Sequence, residues 1–387
     1  MEAQRRRRGA SISALAAVAT ILTACGTAQR TTPAHPSPLK ALKSSTASMP
    51  LSGVLELRMF GGGVGWGITK QGVVRLLNKG AMVESVNPSG INATETPLGY
   101  FLNPREAWLL AKSTNGTSAT LFRTTDGGTT WLQLRSFQVA GAPFYAASMF
   151  FLGPRLGWLV VAPSEAAAGS VAALIYNTSN GGDSWHLLAQ SDATRGSPVP
   201  FSGSKGPISF TTPHNGWLGV TTSRQGVIWL LQTKDGGRTW KRVNIIIPPS
   251  VNPRRFQMQG AVPIARSRAG IFAVVGYAVG GNKVFLFDRT TARMGWAFAS
   301  ALSCNTYCAY DVLNASDVWF AGTSRLYTTQ DGGHTWAAIS ATGLHTPSVS
   351  ILDFISARVG WAVQVGQNGR DILLETVNGG RRWLHAA

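Results

Sequence analysis

An octet of the form T-x-[D/N]-G-G-x-x-W returns five times along this chain, and it limits the possible folds more than any other feature. It reads TTDGGTTW over Thr124–Trp131, TSNGGDSW over Thr178–Trp185 and TKDGGRTW over Thr233–Trp240. The last two copies are TQDGGHTW over Thr329–Trp336 and TVNGGRRW over Thr376–Trp383. Gly-Gly supplies the positive φ angles of a tight hairpin turn, and Asp126, Asn180, Asp235, Asp331 and Asn378 are suited to accept backbone N–H bonds inside it. The flanking Thr and Trp favour strands, and Trp131, Trp185, Trp240, Trp336 and Trp383 each offer a large area to bury against a neighbouring unit. Self-similarity at a fixed period sets the architecture before any other consideration.

Each octet is preceded by a Gly-Trp signature or a variant of it. His214-Asn-Gly-Trp217-Leu-Gly-Val220 shows it, with strands expected on both sides and the octet turn following. Four short strands joined by tight turns form one antiparallel meander. Sliding that unit along the chain gives seven copies, at about 54–88, 96–136, 144–190, 206–246, 257–301, 305–340 and 348–385. The first has a worn turn at Asn78-Lys-Gly80, and the fifth keeps Trp296 but has lost Asp-Gly-Gly. A linear stack would expose its end strands, so closure into a ring is expected. The fold class is therefore all-β, a seven-bladed β-propeller of four-stranded antiparallel blades over residues 51–387. The last outer strand is short, and residues 50–56 are expected to help close the ring.

Residues 1–25 read as a signal peptide. Arg5–Arg8 form the basic start, Ile12–Leu22 a short apolar run, and Leu22-Thr-Ala-Cys25-Gly26 the end. The run is too short to span a bilayer. Residues 26–50 are Thr-, Ser-, Pro- and Ala-rich without an apolar period, as in a disordered tether. Formal net charge is +18, and without residues 1–25 it is still +15, from 31 basic against 16 acidic residues. Such a charge favours acidic protein surfaces, anionic lipid or polyanionic wall polymers. Cys304 and Cys308, as Cys-Asn-Thr-Tyr-Cys, can close a small disulfide loop outside the cytoplasm or remain free thiols.

The L-T-A-C ending resembles the lipobox of bacterial lipoproteins, which implies lipid attachment at Cys25 and an extracytoplasmic protein held to the membrane. The octet resembles the Asp-box, or BNR repeat, of sialidase-like propellers. Together with the Gly-Trp signature and the lipobox, the whole of 54–385 is similar to the photosystem II stability/assembly-factor-like group. That resemblance implies a seven-bladed propeller with Asp-box turns that docks on a membrane protein through a basic patch. Fold does not fix function, and the same domain occurs where no photosystem exists.

The residues themselves carry little chemistry. The sialidase Arg-Ile-Pro element is absent, and Asn252-Pro-Arg-Arg-Phe256 does not match it. The acids outside the octets include Glu56, Glu84, Glu106, Asp311, Asp317, Asp353, Asp371 and Glu375. Asp353, in Ile351-Leu-Asp-Phe-Ile355, is the one placed to face a central channel, although a hydrogen-bond acceptor at a strand end is the commoner role for such a residue. One carboxylate per octet falls short of a calcium site, the six His are scattered, and no nucleophilic triad is legible. Gly61-Gly-Gly-Val-Gly65 lacks the Lys-Ser/Thr and the helix of a phosphate loop. No catalytic residue, metal site or cofactor is assigned. The basic pairs are the lead: Arg254, Arg255, Arg266 and Arg268 in the worn fifth unit form the candidate binding patch. Lys241-Arg242 and Arg381-Arg382 lie beside octet Trp residues. The function expected is a non-catalytic scaffold for an envelope or membrane protein, with anionic lipid or wall polymer as further candidates and nucleic acid excluded by location. The competing class is a carbohydrate-active enzyme or lectin of the same fold. Paired carboxylates at the centre would favour that class.

Overall fold

The computed structural model describes residues 40–386, apart from 45–46, 92–95, 114–116, 139–143, 164–165, 168–169, 192–195, 223, 244, 260–263, 267–268, 280, 290–294, 305 and 367–369. Seven antiparallel blades follow one another in chain order. Their strands run from Val54–Phe60 to Met82–Ser85, Leu98–Phe101 to Thr130–Gln138, Phe144–Phe151 to His186–Ser191 and Ser204–Phe210 to Lys241–Val243. The last three blades run from Gln257–Met258 to Ala297–Cys304, Tyr310–Val312 to Ala337–Ile339 and Val349–Phe354 to Leu384–His385. The first strands of blades two and three, three and four, six and seven, and seven and one pack on one another, and the last of these contacts closes the ring.

The octets build their turns with side chains. In Thr233–Trp240 the Thr233 hydroxyl donates to Asp235 Oδ1 at 2.7 Å and accepts the Gly237 N–H at 2.9 Å. Asp235 also takes the N–H and the hydroxyl of Thr239. Gly236 and Gly237 have φ of +79° and +100°, a region that β-carbon-bearing residues avoid. The first Gly of each octet donates its N–H to the turn between the first two strands of its own blade, as Gly236 does to His214 O. Those two turns therefore share one face of the ring, the octet face. The connectors between blades, and the turns after the second strands, lie on the opposite, connector face.

The Gly-Trp signature joins blade to blade. Trp158, in the second strand of blade three, stacks on Phe210 of blade four with ring centroids 3.6 Å apart. Its Nε1–H donates to Gly236 O of that blade's octet at 2.9 Å. Trp108 repeats both contacts with Phe151 and with Gly181 O at 2.8 Å. The octet Trp then meets the same Phe edge-on, as Trp240 meets Phe210 and Trp185 meets Phe151. The Gly before the second-strand Trp is dictated by this packing: a Cβ on Gly157 would sit 2.5 Å from the Phe151 ring. Burial of each such Trp and Phe stabilises the seam by a few kcal/mol.

The worn turn of blade one still performs the octet's main-chain task. Lys79 has φ +64°, its N–H donates to Gly63 O, and its carbonyl accepts Trp361 Nε1–H of blade seven at 2.9 Å. The seam between these two blades is otherwise a cluster of Val54, Leu57, Met59, Trp361, Val363 and Leu373, with Met49 and Leu51 packed against it. Val54 N–H also donates to Asp371 at 2.7 Å. Blade five has lost the Asp-Gly-Gly of the octet, and among the described residues Trp217 Nε1 is buried with no partner. Trp217 instead meets Trp296 edge-on, with Arg289 over both rings.

The stretch read as a tether over 26–50 contains strands, which corrects that reading for its C-terminal part. Lys40–Lys43 pairs with Thr130–Gln133 on the outer edge of blade two, and Ala47–Ser48 pairs with Glu84–Ser85 of blade one. The composition gave no warning because this pairing uses backbone groups; of the side chains of 40–43, Leu42 reaches the core. Blades one and two thus have five strands. Residues 1–39, with Cys25, lie outside the described residues.

Candidate functional site

Strand register brings one set of residues to the ring axis. Arg58, Tyr100, Asp311 and Asp353 each pair with the second-strand Trp of their own blade, so they occupy one level of the first strands. Asp353 reaches from blade seven to blade one, where it accepts the Met59 N–H and pairs with Arg58 at 3.0 Å. Asp311 reaches from blade six to blade seven and accepts the Phe354 N–H at 2.7 Å. Two of the axial carboxylates are thus stitches between blades, and Asp353 takes the acceptor role.

Glu56 is different. Solvent reaches it, protein surrounds it, and among the described residues no hydrogen bond engages it. That crowding pushes its carboxyl up to about 7, with Arg58 opposing the rise and Asp353 adding to it. Burial likewise pushes Asp311 up to about 7 against the pull of the Phe354 N–H, and it raises Asp353 against Arg58. Tyr100, whose hydroxyl donates to Phe151 O at 2.7 Å, is pushed up to about 12 by burial. The axis therefore gathers three carboxyls around one guanidinium, with one carboxyl left unbonded.

The sign of the resulting pH dependence is fixed. A carboxyl whose folded pKa is raised keeps a proton that the unfolded chain releases, so stability falls as pH rises from about 4 to about 7. The octets act oppositely and lower down. Asp235 is held at about 2 because the hydrogen bonds from Thr239 and Thr233 outweigh slight burial, so its contribution is lost as pH falls from about 4 through about 2. The melting temperature should be higher at pH 5 than at pH 8, and Glu56→Gln with Asp311→Asn should flatten that slope. A thermal melt series checks this, and an unchanged slope in the double variant would refute the assignment.

The octet side chains are consumed by their own turns. Asp126, Asp235 and Asp331 each bond the Thr two positions before and the Thr four positions after. Asn180 and Asn378 take the equivalent Thr and the N–H of Ser184 and Arg382. Among the described residues no group of His, Cys, Asp and Glu could hold a metal. Trp240, Trp336 and Trp383 turn their Nε1–H back to the second Gly of the octet, Trp131 bonds Val86 O, and Trp185 Nε1 is buried unpaired.

The basic patch is brought together only in part. Arg254 and Arg255 are exposed in the 3-10 turn Pro253–Arg255, in the connector that enters blade five. The side chains of Arg266 and Arg268 lie outside the described residues. Arg255 instead lines a cleft of about 450 Å³ with Phe256, Val279, Lys283, Cys304 and Thr323 on the connector face of blades five and six. Cys304 and Cys308 are joined by a disulfide with Cα atoms 5.0 Å apart. Val279 is fully exposed, and Ile246, Tyr277 and Tyr307 are the other large exposed apolar side chains in the segments flanking this cleft. Arg242 stacks on Trp229 at 4.6 Å, away from the octet Trp beside it in sequence. Sequence reasoning singled out blade five through its lost octet but missed Val279 and Lys283, which became neighbours only through the turn after the second strand.

No family model matches the chain, and no curated protein matches it. Solved structures do resemble it. YCF48 bound to a D1 peptide is 20% identical with a TM-score of 0.47, over 76% of this chain and 81% of that one. An oligogalacturonate lyase in complex with manganese is 10% identical with a TM-score of 0.54, over 88% and 98%. A PL25 ulvan lyase is 8% identical with a TM-score of 0.53, over 89% and 97%. At such identities the likeness establishes the β-propeller fold alone.

Proposed function

We propose that the chain is a non-catalytic docking propeller that binds an envelope or membrane protein through the connector face of blade five. The observation that carries this is the coincidence there of a broken repeat, an exposed apolar group at Val279 and the cations Arg255 and Lys283 around one cleft, with Arg254 exposed in the same turn as Arg255. Exposed apolar surface ringed by charge is the anatomy of a protein interface. The octet and Gly-Trp signatures, as Asp-boxes of the photosystem II assembly-factor-like kind, support docking as the mode of action. A lipid on Cys25 would hold the propeller outside the cytoplasm, where the Cys304–Cys308 disulfide is stable. The full lipid-bearing chain should retain one stoichiometric membrane-protein partner from gently solubilised membranes. Arg254→Gln with Arg255→Gln should lose that partner, and salt should weaken it. Equal retention by the variant would count against this face.

A second reading, a carbohydrate-active propeller, is favoured by the axial group. Glu56 is an unbonded carboxyl near neutrality beside Asp353, the kind of group a glycosidase uses as its acid. Asp311 and Asp353, however, are occupied by backbone N–H groups. Glycan hydrolysis that disappears in Glu56→Gln would establish this reading in place of docking.

A further inference from the structure

The seam between blades six and seven is built differently from the others. In six blades the second-strand Trp heads a row of cross-strand neighbours on one face; blade five, whose second strand has no Trp, has Phe272–Phe287–Phe298 instead. The rows are Trp66–Arg75–Glu84, Trp108–Arg123–Leu132, Trp158–Asn177–His186, Trp217–Gln232–Lys241 and Trp361–Glu375–Leu384. The middle position of these rows carries a long or polar side chain, and in blades one and two it covers the Trp. Arg75 lies over Trp66 at 4.4 Å, and Arg123 over Trp108 at 5.2 Å. Blade six has Trp319–Thr328–Ala337 in that row, with no long side chain in it.

A cleft of about 590 Å³ opens where the missing side chains would lie. Trp319, Thr328, Gln330 and Ala337 of blade six line one side, and Arg358 and Arg381 of blade seven the other. Among the described residues no carboxylate lines it. The seam is also looser: Trp319 Nε1 lies 3.4 Å from Gly379 O, against 2.8 Å for Trp108 and 2.9 Å for Trp158. The Asn378-Gly379 wall puts the slot on the octet face, opposite the blade-five cleft.

We infer that this slot receives an acidic side chain from an extended segment of a protein partner. Its carboxylate is met by Arg358 and Arg381, and its aliphatic stem fills the space over Thr328 and Ala337. Charge complementarity names the occupant: both charged lining residues are cationic, and guanidinium groups bind carboxylates through paired donors. The slot is separate from the blade-five face and goes beyond that reading.

The test uses the full chain and three probes. One is a fluorescein-labelled peptide of alternating Glu and Leu, one its Gln counterpart, and one an oligogalacturonate of similar charge. The acidic peptide should bind at low salt and the Gln peptide should not. Thr328→Gln with Ala337→Leu refills the row with residues other blades use there, and Arg358→Gln with Arg381→Gln removes the cations. Each double variant should weaken the acidic peptide about tenfold or more, the scale of two charge-assisted bonds, while melting as the parent does. Arg254→Gln with Arg255→Gln should leave peptide binding unchanged. Unaltered binding in the refilled variant, or binding of the oligogalacturonate with none of the peptide, overturns the inference. Partner capture that still depends on Arg254 and Arg255 would then leave the docking reading standing.

Discussion

Trp158→Ala is expected to cost about 4 kcal/mol, within the range for large aromatic residues removed from a core. Trp158 is 1% exposed, stacks face to face on Phe210 and closes its Nε1–H on Gly236 O. Truncation leaves a cavity at the seam and a buried carbonyl without its donor, and the strands on either side are too tightly paired to collapse into the gap. Trp217→Ala is the informative companion. Trp217 is as deeply buried but has no acceptor among the described residues, in a seam whose blade has lost the Asp-Gly-Gly in sequence. Its truncation should cost about 1 kcal/mol less, the usual worth of one hydrogen bond. Denaturant unfolding of both variants checks the pair. Equal losses would mean that the octet carbonyl contributes nothing to the joint.

The second large effect is expected at Asp353. The outer strand of blade seven is only Leu384–His385, so closure depends on contacts nearer the axis. Asp353 takes the Met59 N–H and the Arg58 guanidinium of blade one, and it is 3% exposed. Asp353→Ala leaves a buried N–H without an acceptor and should cost about 3 kcal/mol. Arg58 is half-exposed and finds water when its partner goes, which keeps the loss below that of stranding a buried cation. Asp353→Asn keeps an acceptor for Met59 and should lose roughly half as much. Calorimetric melting of the two variants separates a closure residue from a catalytic one. A wild-type melt in both would place ring closure elsewhere.

Much of this fold is legible from the chain because the repeats write their own turns. Thr, Asp and Gly-Gly satisfy one another inside eight residues, so Thr233–Trp240 can be read without knowing its surroundings. The Gly-Trp signature is legible as a strand, but its reason is not: Gly157 is small because of Phe151, which comes from the neighbouring strand. Asp353 stood out as an acid in an apolar strand, yet its acceptor role toward Met59 depends on ring closure. The Thr328–Ala337 row was invisible for the same reason, since small residues in two strands signify nothing until register places them beside Trp319. Lys40–Lys43 carries no period at all and joins blade two through its backbone.

The docking claim is tested most directly at Val279, which is fully exposed beside Arg255 and Lys283. A photoreactive benzoylphenylalanine placed there in the full chain, and irradiated in native membranes, should give one major crosslinked protein. Salt and the Arg254→Gln, Arg255→Gln pair should suppress it. The same group at Leu187, an exposed apolar residue in the outer strand of blade three, should give none. A single adduct confined to position 279 is the result this account predicts. No adduct there, or the same adducts from both positions, would contradict it.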